Sequence, residues 1–207
     1  PKILKFNNSQ SINYMPNPVD KSFETLRNFE YKNLKNDVFF AMSHGVHRGI
    51  LKKGKFDERE NFLEKLMNKL PNIKFDIYGI KNKQPIWAAN YISAISQSKI
   101  AINLSQGNAS KYYSSDRFAQ LIGNGLLVMI DEKTGFGDLF NKNEIIMYKN
   151  IDDLSKKIIK YSNNDKLRQD ISKKGREKYF KYFNSTLIAE FIINKTYNIN
   201  KKYHWEG

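Results

Sequence analysis

Apolar and polar positions fall into blocks along the chain, and the length and period of each block predict an element. Val38, Phe39, Phe40, Ala41 and Met42 form an unbroken apolar run after Asp37, which predicts a buried strand over 37–42. From Asp57 the pattern changes. Glu58 and Glu60 load a first turn with negative charge, and Phe62, Leu63, Leu66, Met67 and Leu70 then recur at helical spacing until Pro71. A second strand over 73–78 ends at Gly79, completing one β–loop–α–β unit. The same reading predicts a short helix over about 89–98 and strands over 99–104, 126–130 and 144–148. It adds a short amphipathic helix between Arg117 and Gly123, and helices over about 151–162, 165–182 and 185–197.

Strands that alternate with helices predict an α/β fold: a Rossmann-like open parallel sheet with helices on both faces. Its 207 residues suffice for one domain with an arm at either end. Residues 1–36 read as a lead-in from a preceding N-terminal domain, 37–197 as the domain itself, and 198–207 as a polar tail. In such a sheet a ligand sits beyond the carboxyl ends of the strands. The loops at that end are 43–55, 79–87, 105–117 and 131–138, and they hold the chain's conspicuous polar residues.

Composition narrows the reading. No apolar run approaches the roughly 20 residues that a membrane-crossing helix needs. Cysteine is absent, which removes disulfides and thiolate metal sites and fits a reducing compartment. The three histidines, His44, His47 and His204, form no metal-binding helix motif, so no metal is expected. The net charge of +14 fits attraction to an anion, but abundant Lys, Asn and Ile also fit a coding bias. Charge alone assigns no partner.

Two constellations carry candidate chemistry. After the first strand come His44, Gly45, Arg48, Gly49, Lys52, Lys53 and Gly54. Such a loop can hold a phosphate through backbone donors and charge-assisted bonds, although it is neither a Walker loop nor a dinucleotide fingerprint. His44 either donates to that phosphate or satisfies a loop carbonyl. The second constellation is Tyr112, Tyr113, Ser114, Ser115, Asp116 and Arg117 before a helix, with Gln120 one turn on and Gly125 opening the next strand. Ser or Asp can cap that helix. Arg117 opposes the helix dipole, so it should face a ligand phosphate or a fixed internal carboxylate. One of the two tyrosines is expected to pack under the loop, leaving the other free to stack on a base. Trp87 reads as core or interdomain surface.

The spacing of Arg48 and Lys53-Gly54 after a glycine-containing loop resembles the C-terminal, nucleotide-sugar-binding domain of GT-B glycosyltransferases of the group-1 type. Gln120-Leu-Ile-Gly-Asn-Gly125 before an apolar strand extends the likeness over about 37–195. The triplet Ser115, Asp116, Arg117 resembles a divergent subgroup of that superfamily. The sequence departs from the pattern at its paired glutamates: Gln120 stands in the place of the second and Tyr112 in that of the first. Asp76-Ile-Tyr-Gly79 resembles GT-B fucosyltransferases, which would imply a guanosine diphosphate donor.

The resemblance implies sugar transfer from a nucleoside-diphosphate sugar to a glycan or lipid-linked acceptor, with no cofactor. It makes Arg48 and Lys53 catalytic, stabilising the departing diphosphate. Donor contacts fall to His44, Gly45, Gly54, Tyr113, Ser114, Ser115, Asp116, Arg117 and Gln120. It also implies a cytoplasmic protein, with peripheral membrane contact through the basic helices around 156–160 and 173–181 as a secondary expectation. The competing readings are a basic nucleic-acid-binding module and a non-catalytic partner domain. No recognised nucleic-acid motif is present, so nucleic acid is not an expected partner.

Overall fold

In the computed structural model of the chain, the described residues are 13–42, 58–80, 83–105, 111–113 and 115–206. Among them, five strands form one sheet: β1 (Asn36–Ala41), β2 (Phe75–Tyr78), β3 (Ser98–Asn103), β4 (Leu127–Asp131) and β5 (Ile146–Tyr148). The order across the sheet is β2-β1-β3-β4-β5 and every pairing is parallel. Six helices accompany it: α1 (Glu58–Lys69), α2 (Ala88–Ser96), α3 (Asp116–Gly123), α4 (Ile151–Ser162), α5 (Asp165–Tyr182) and α6 (Ser185–Thr196). The Rossmann-like open parallel sheet expected from the sequence is the fold observed.

Parallel strands buried on both faces need apolar side chains pointing both ways, which is why they read as continuous runs. Val38, Phe40, Ile100, Ile102, Leu127 and Met129 pack on one side with Leu63 and Leu66 of α1 and Leu154 and Ile158 of α4. Phe39, Ala41, Ala101, Val128 and Ile130 pack on the other with Ile95 of α2, Phe118 of α3 and Ile188 of α6. Helix α5 contributes Ile171 to the first cluster and Tyr179 to the second.

Element ends differ from the sequence reading where a local bond captures a residue. The Ile73 N–H donates to the Leu70 carbonyl, so that residue belongs to the turn after α1 and β2 begins at Phe75. Glu144 accepts from the Asn141 N–H and returns its own N–H to the Asn141 carbonyl, which delays β5 to Ile146. Helices α4, α5 and α6 start where asparagine caps them. The Asn150, Asn164 and Asn184 side chains each accept from a first-turn N–H.

Candidate functional site at the carboxyl edge

The chain leaves β1 toward β2 on one side, while β3 leads to β4 and β5 on the other. A crevice therefore opens beyond the carboxyl ends of β1 and β3, at the point where the strand order reverses. The pairings show the opening. The β1–β2 ladder runs to Ala41 opposite Tyr78, and the β3–β4 ladder to Asn103 opposite Ile130. Pairing between β1 and β3 ends sooner, at Phe39 opposite Ala101. The two central strands thus fork over their last residues, and the amino end of α3 comes to the fork.

Arg117 fills it. One guanidinium nitrogen donates to the Ala41 carbonyl at 2.5 Å, at the end of β1. The other donates at 2.9 Å to the carbonyl of Leu104, the residue after β3. The guanidinium carbon lies 4.9 Å from the centre of the Phe40 ring. Burial lowers its pKa from the ordinary arginine value, and Arg59 lowers it further, while Tyr91 and Asp116 oppose the shift. An arginine stays charged through such a shift, so the site holds a fixed positive charge bonded to carbonyls. The sequence pointed to a phosphate or a carboxylate as its partner; strand-end carbonyls hold two of its donors, and Nε–H has no partner.

The elements that meet at the fork carry buried polar groups without partners. Asn103, at the carboxyl end of β3, is 2% exposed, and neither atom of its amide has a hydrogen-bond partner. Leaving such a group unsatisfied costs about 1–3 kcal/mol, so its presence here asks for a reason. The Ser115 hydroxyl is buried and also unpartnered, and it does not cap α3. Instead Asp116 accepts from the Arg117 N–H at 2.9 Å. The Tyr91 hydroxyl from α2 is buried and unpartnered, and burial pushes its pKa up.

The loop before α3 is fixed from the opposite side. Tyr112 adopts φ +57°, its N–H donates to the Thr134 carbonyl at 2.7 Å, and its hydroxyl donates to Asp138 at 2.6 Å. Lys111 also reaches Asp138 at 3.3 Å, and these two bonds hold the Asp138 carboxyl below its usual range. Tyr112 further packs on Tyr14 and Phe136. It is therefore the tyrosine that packs, while Tyr113 is 53% exposed.

Of the residues singled out from sequence, His44, Gly45, Arg48, Lys53, Gly54 and Ser114 lie outside the described residues. The structure brings Ser115, Asp116 and Arg117 to the fork. Gln120 is half-buried one turn behind Asp116 on the same side of α3, and its carbonyl accepts from the Asn124 side chain. Trp87 stands 47% exposed at the start of α2. Asn103 and Tyr91 were not anticipated, since one sits in a strand pattern and the other in a helix pattern that give no sign of unpaired polar atoms. Among the described residues no group of three or more His, Asp or Glu side chains is arranged to hold a metal ion. No described helix is long and apolar enough to cross a membrane.

Comparison with known proteins matches this architecture to glycosyltransferases. A mutant of S. aureus TarM, solved with Fondaparinux, alpha-GlcNAc-glycerol and UDP, superposes with a TM-score of 0.61 at 17% identity. The superposition covers 93% of this chain and 41% of TarM. A glycosyltransferase from Rickettsia africae gives 0.51 at 15% identity, over 96% of this chain and 51% of that one. The C-terminal domain of a glycosyl transferase group 1 family protein from Francisella tularensis gives 0.50 at 13% identity, over 81% of this chain and all of that one. The chain thus spans about two fifths to one half of the longer neighbours, and its fold is that of the C-terminal half of GT-B enzymes. No curated protein matches the sequence. The model of the family described as Glycosyl transferase-like matches residues 58–194, more than half of the sequence, and the chain belongs to that family.

Proposed function

We propose that this chain binds a nucleoside-diphosphate sugar in the crevice beyond β1 and β3. In this reading it is the donor half of an enzyme that passes the sugar to a glycan or lipid-linked acceptor. The observation that carries the proposal is the fork itself. The fork holds a fixed guanidinium charge bonded to strand-end carbonyls, β3 ends there in an unsatisfied buried amide, and the capping residue of the arriving helix leaves its hydroxyl free. A diphosphate with attached sugar offers partners to that amide and hydroxyl, and the guanidinium adds a favourable positive field. The bound UDP of TarM, a neighbour in fold, supports the same donor class.

Within this reading Arg48 and Lys53 neutralise the departing diphosphate, which needs charge stabilisation but no covalent catalyst. Their charge and the α3 amino end make a metal unnecessary. His44, Gly45, Gly54, Ser114 and Ser115 bind around the phosphates, and Tyr113 offers a ring to the base. Gln120, one turn into α3, is placed to meet ribose hydroxyls. The acceptor is held mainly by a second α/β domain, so the chain by itself binds donor and transfers little.

Isothermal titration against uridine, guanosine, adenosine and thymidine diphosphate sugars tests the proposal. One base class should bind with a dissociation constant below about 1 mM. The double variant Arg48→Glu, Lys53→Glu should abolish that binding while the circular dichroism spectrum stays unchanged. Absence of binding by every donor to the folded chain would refute the reading.

A further inference from the structure

The proposal concerns what Arg117 does, and it rests on the donor reading above. A parallel ladder normally satisfies the carbonyls of both strands to their ends. Here the β1–β3 ladder stops at Phe39 and Ala101, although β1 continues to Ala41 and β3 to Asn103. The carbonyls beyond the fork would lose their partners. Arg117 supplies them: its two terminal nitrogens reach across and take one carbonyl from each side, Ala41 and Leu104. The planar guanidinium can do this because its donors diverge at a fixed angle, and the Phe40 ring beneath it limits its tilt.

The separation of the carboxyl ends of β1 and β3 is therefore the separation that Arg117 spans. We propose that Arg117 is a positioning residue: it fixes the width of the fork between these two strand ends, and so the shape of the crevice beyond them, instead of contacting the donor phosphates. This also explains its place in the first turn of α3. A cation there opposes the helix dipole by a few tenths of a kcal/mol, a cost readily offset by two charge-assisted bonds to carbonyls.

The experiment pairs hydrogen exchange with titration in wild type, Arg117→Lys and Arg117→Gln. Lysine keeps the charge but concentrates its donors at one point, and glutamine keeps one amide for one carbonyl. UDP, GDP and ADP are the probes. In nucleotide-free protein, both variants should exchange faster than wild type at peptides covering 40–42 and 103–105, with a lowered melting temperature but a still cooperative transition. Affinity for whichever nucleotide the wild type binds should fall about tenfold or more in both, as misplacement of supporting groups does. Reduced affinity with unchanged exchange in the nucleotide-free protein would make Arg117 a direct phosphate ligand and overturn the proposal. Faster exchange with unchanged affinity would overturn it as well, because the fork would then not govern the site. If neither variant folds, Arg117 is a stability element rather than a positioning one, and the proposal fails. Failure of the donor reading is distinct from these: the wild type would then bind none of the three nucleotides, whatever the exchange at the fork.

Discussion

Gly79 shows how little freedom single residues have at the carboxyl edge. It ends β2 at φ +79°, and a Cβ built there would lie 1.8 Å from the Met42 carbonyl oxygen. Both the backbone conformation and the space exclude a side chain. Gly79→Ala should therefore cost about 3 kcal/mol or more, read as a lowered urea midpoint with unchanged slope. A loss below about 0.5 kcal/mol would show that β1 and β2 can part at no cost, and that the edge is looser than its packing implies. The sequence marked Gly79 as the end of a strand, because glycine after an apolar run is a local signal. It also marked Arg117 as misplaced for an idle helix residue. The partner of Arg117 was not legible, since a strand-end carbonyl belongs to the backbone and leaves no trace in residue identity. Asn103 was hidden for a related reason: its unpaired amide follows from burial at the fork, and burial depends on the neighbours of the whole sheet.

Strands and helices were legible because each buries a face with its own period, and the core clusters use the residues that carried those periods. The segment before β1 was not. It read as a lead-in with turn signals, yet residues 17–31 are tied to the domain by bonds to distant backbone. The Tyr179 hydroxyl donates to the Asn17 carbonyl, Arg176 to the carbonyls of Gly123 and Glu24, and the fully buried Arg168 to that of Tyr31. Val19, with no exposed surface, bridges to Asn184 beside α6. The central fastening is Asn28, 1% exposed, whose amide donates to the Ile95 carbonyl at 2.6 Å and the Ser98 carbonyl at 2.9 Å. These carbonyls close α2 and open β3, so one side chain joins the segment to the turn that feeds the central strand. Asn28→Ala should lose about 2 kcal/mol by removing both buried bonds and leaving the Ser98 carbonyl without this donor. Asn28→Asp should lose more at neutral pH, because a carboxylate would face two carbonyl oxygens. Equilibrium urea unfolding measures both; an alanine variant as stable as wild type would reduce the segment to a passive cover.

At the scale of the molecule, the question is whether a net charge of +14 draws the chain to nucleic acid or leaves it to a small anion. In the two basic stretches around 156–160 and 173–181, four of the eight cations pair with an acid among the described residues. Lys157 pairs with Asp153, Lys173 with Glu177, Lys174 with Asp170, and Lys178 with Glu144. Elsewhere Lys99 pairs with Asp37, Lys83 with Asp76 and Lys69 with Asp152. Pairing of this kind adds little to stability at the surface, but it flattens the local field that a phosphate backbone would follow. The donor reading instead needs positive charge at one place, the fork and its loops, and a ligand with only two phosphates. The two readings separate by salt. A protein that neutralises many phosphates loses affinity steeply, by about 10³–10⁵ between 50 and 200 mM salt for six to ten contacts. This chain should bind single-stranded and duplex oligonucleotides with a shallow slope and show no measurable binding near 0.15 M salt. Its nucleotide-sugar affinity should change much less over the same range, because a ligand with two phosphates makes few charge contacts. Tight oligonucleotide binding with a steep slope at physiological salt, and no response to any nucleotide sugar, would move the function from the crevice to the surface.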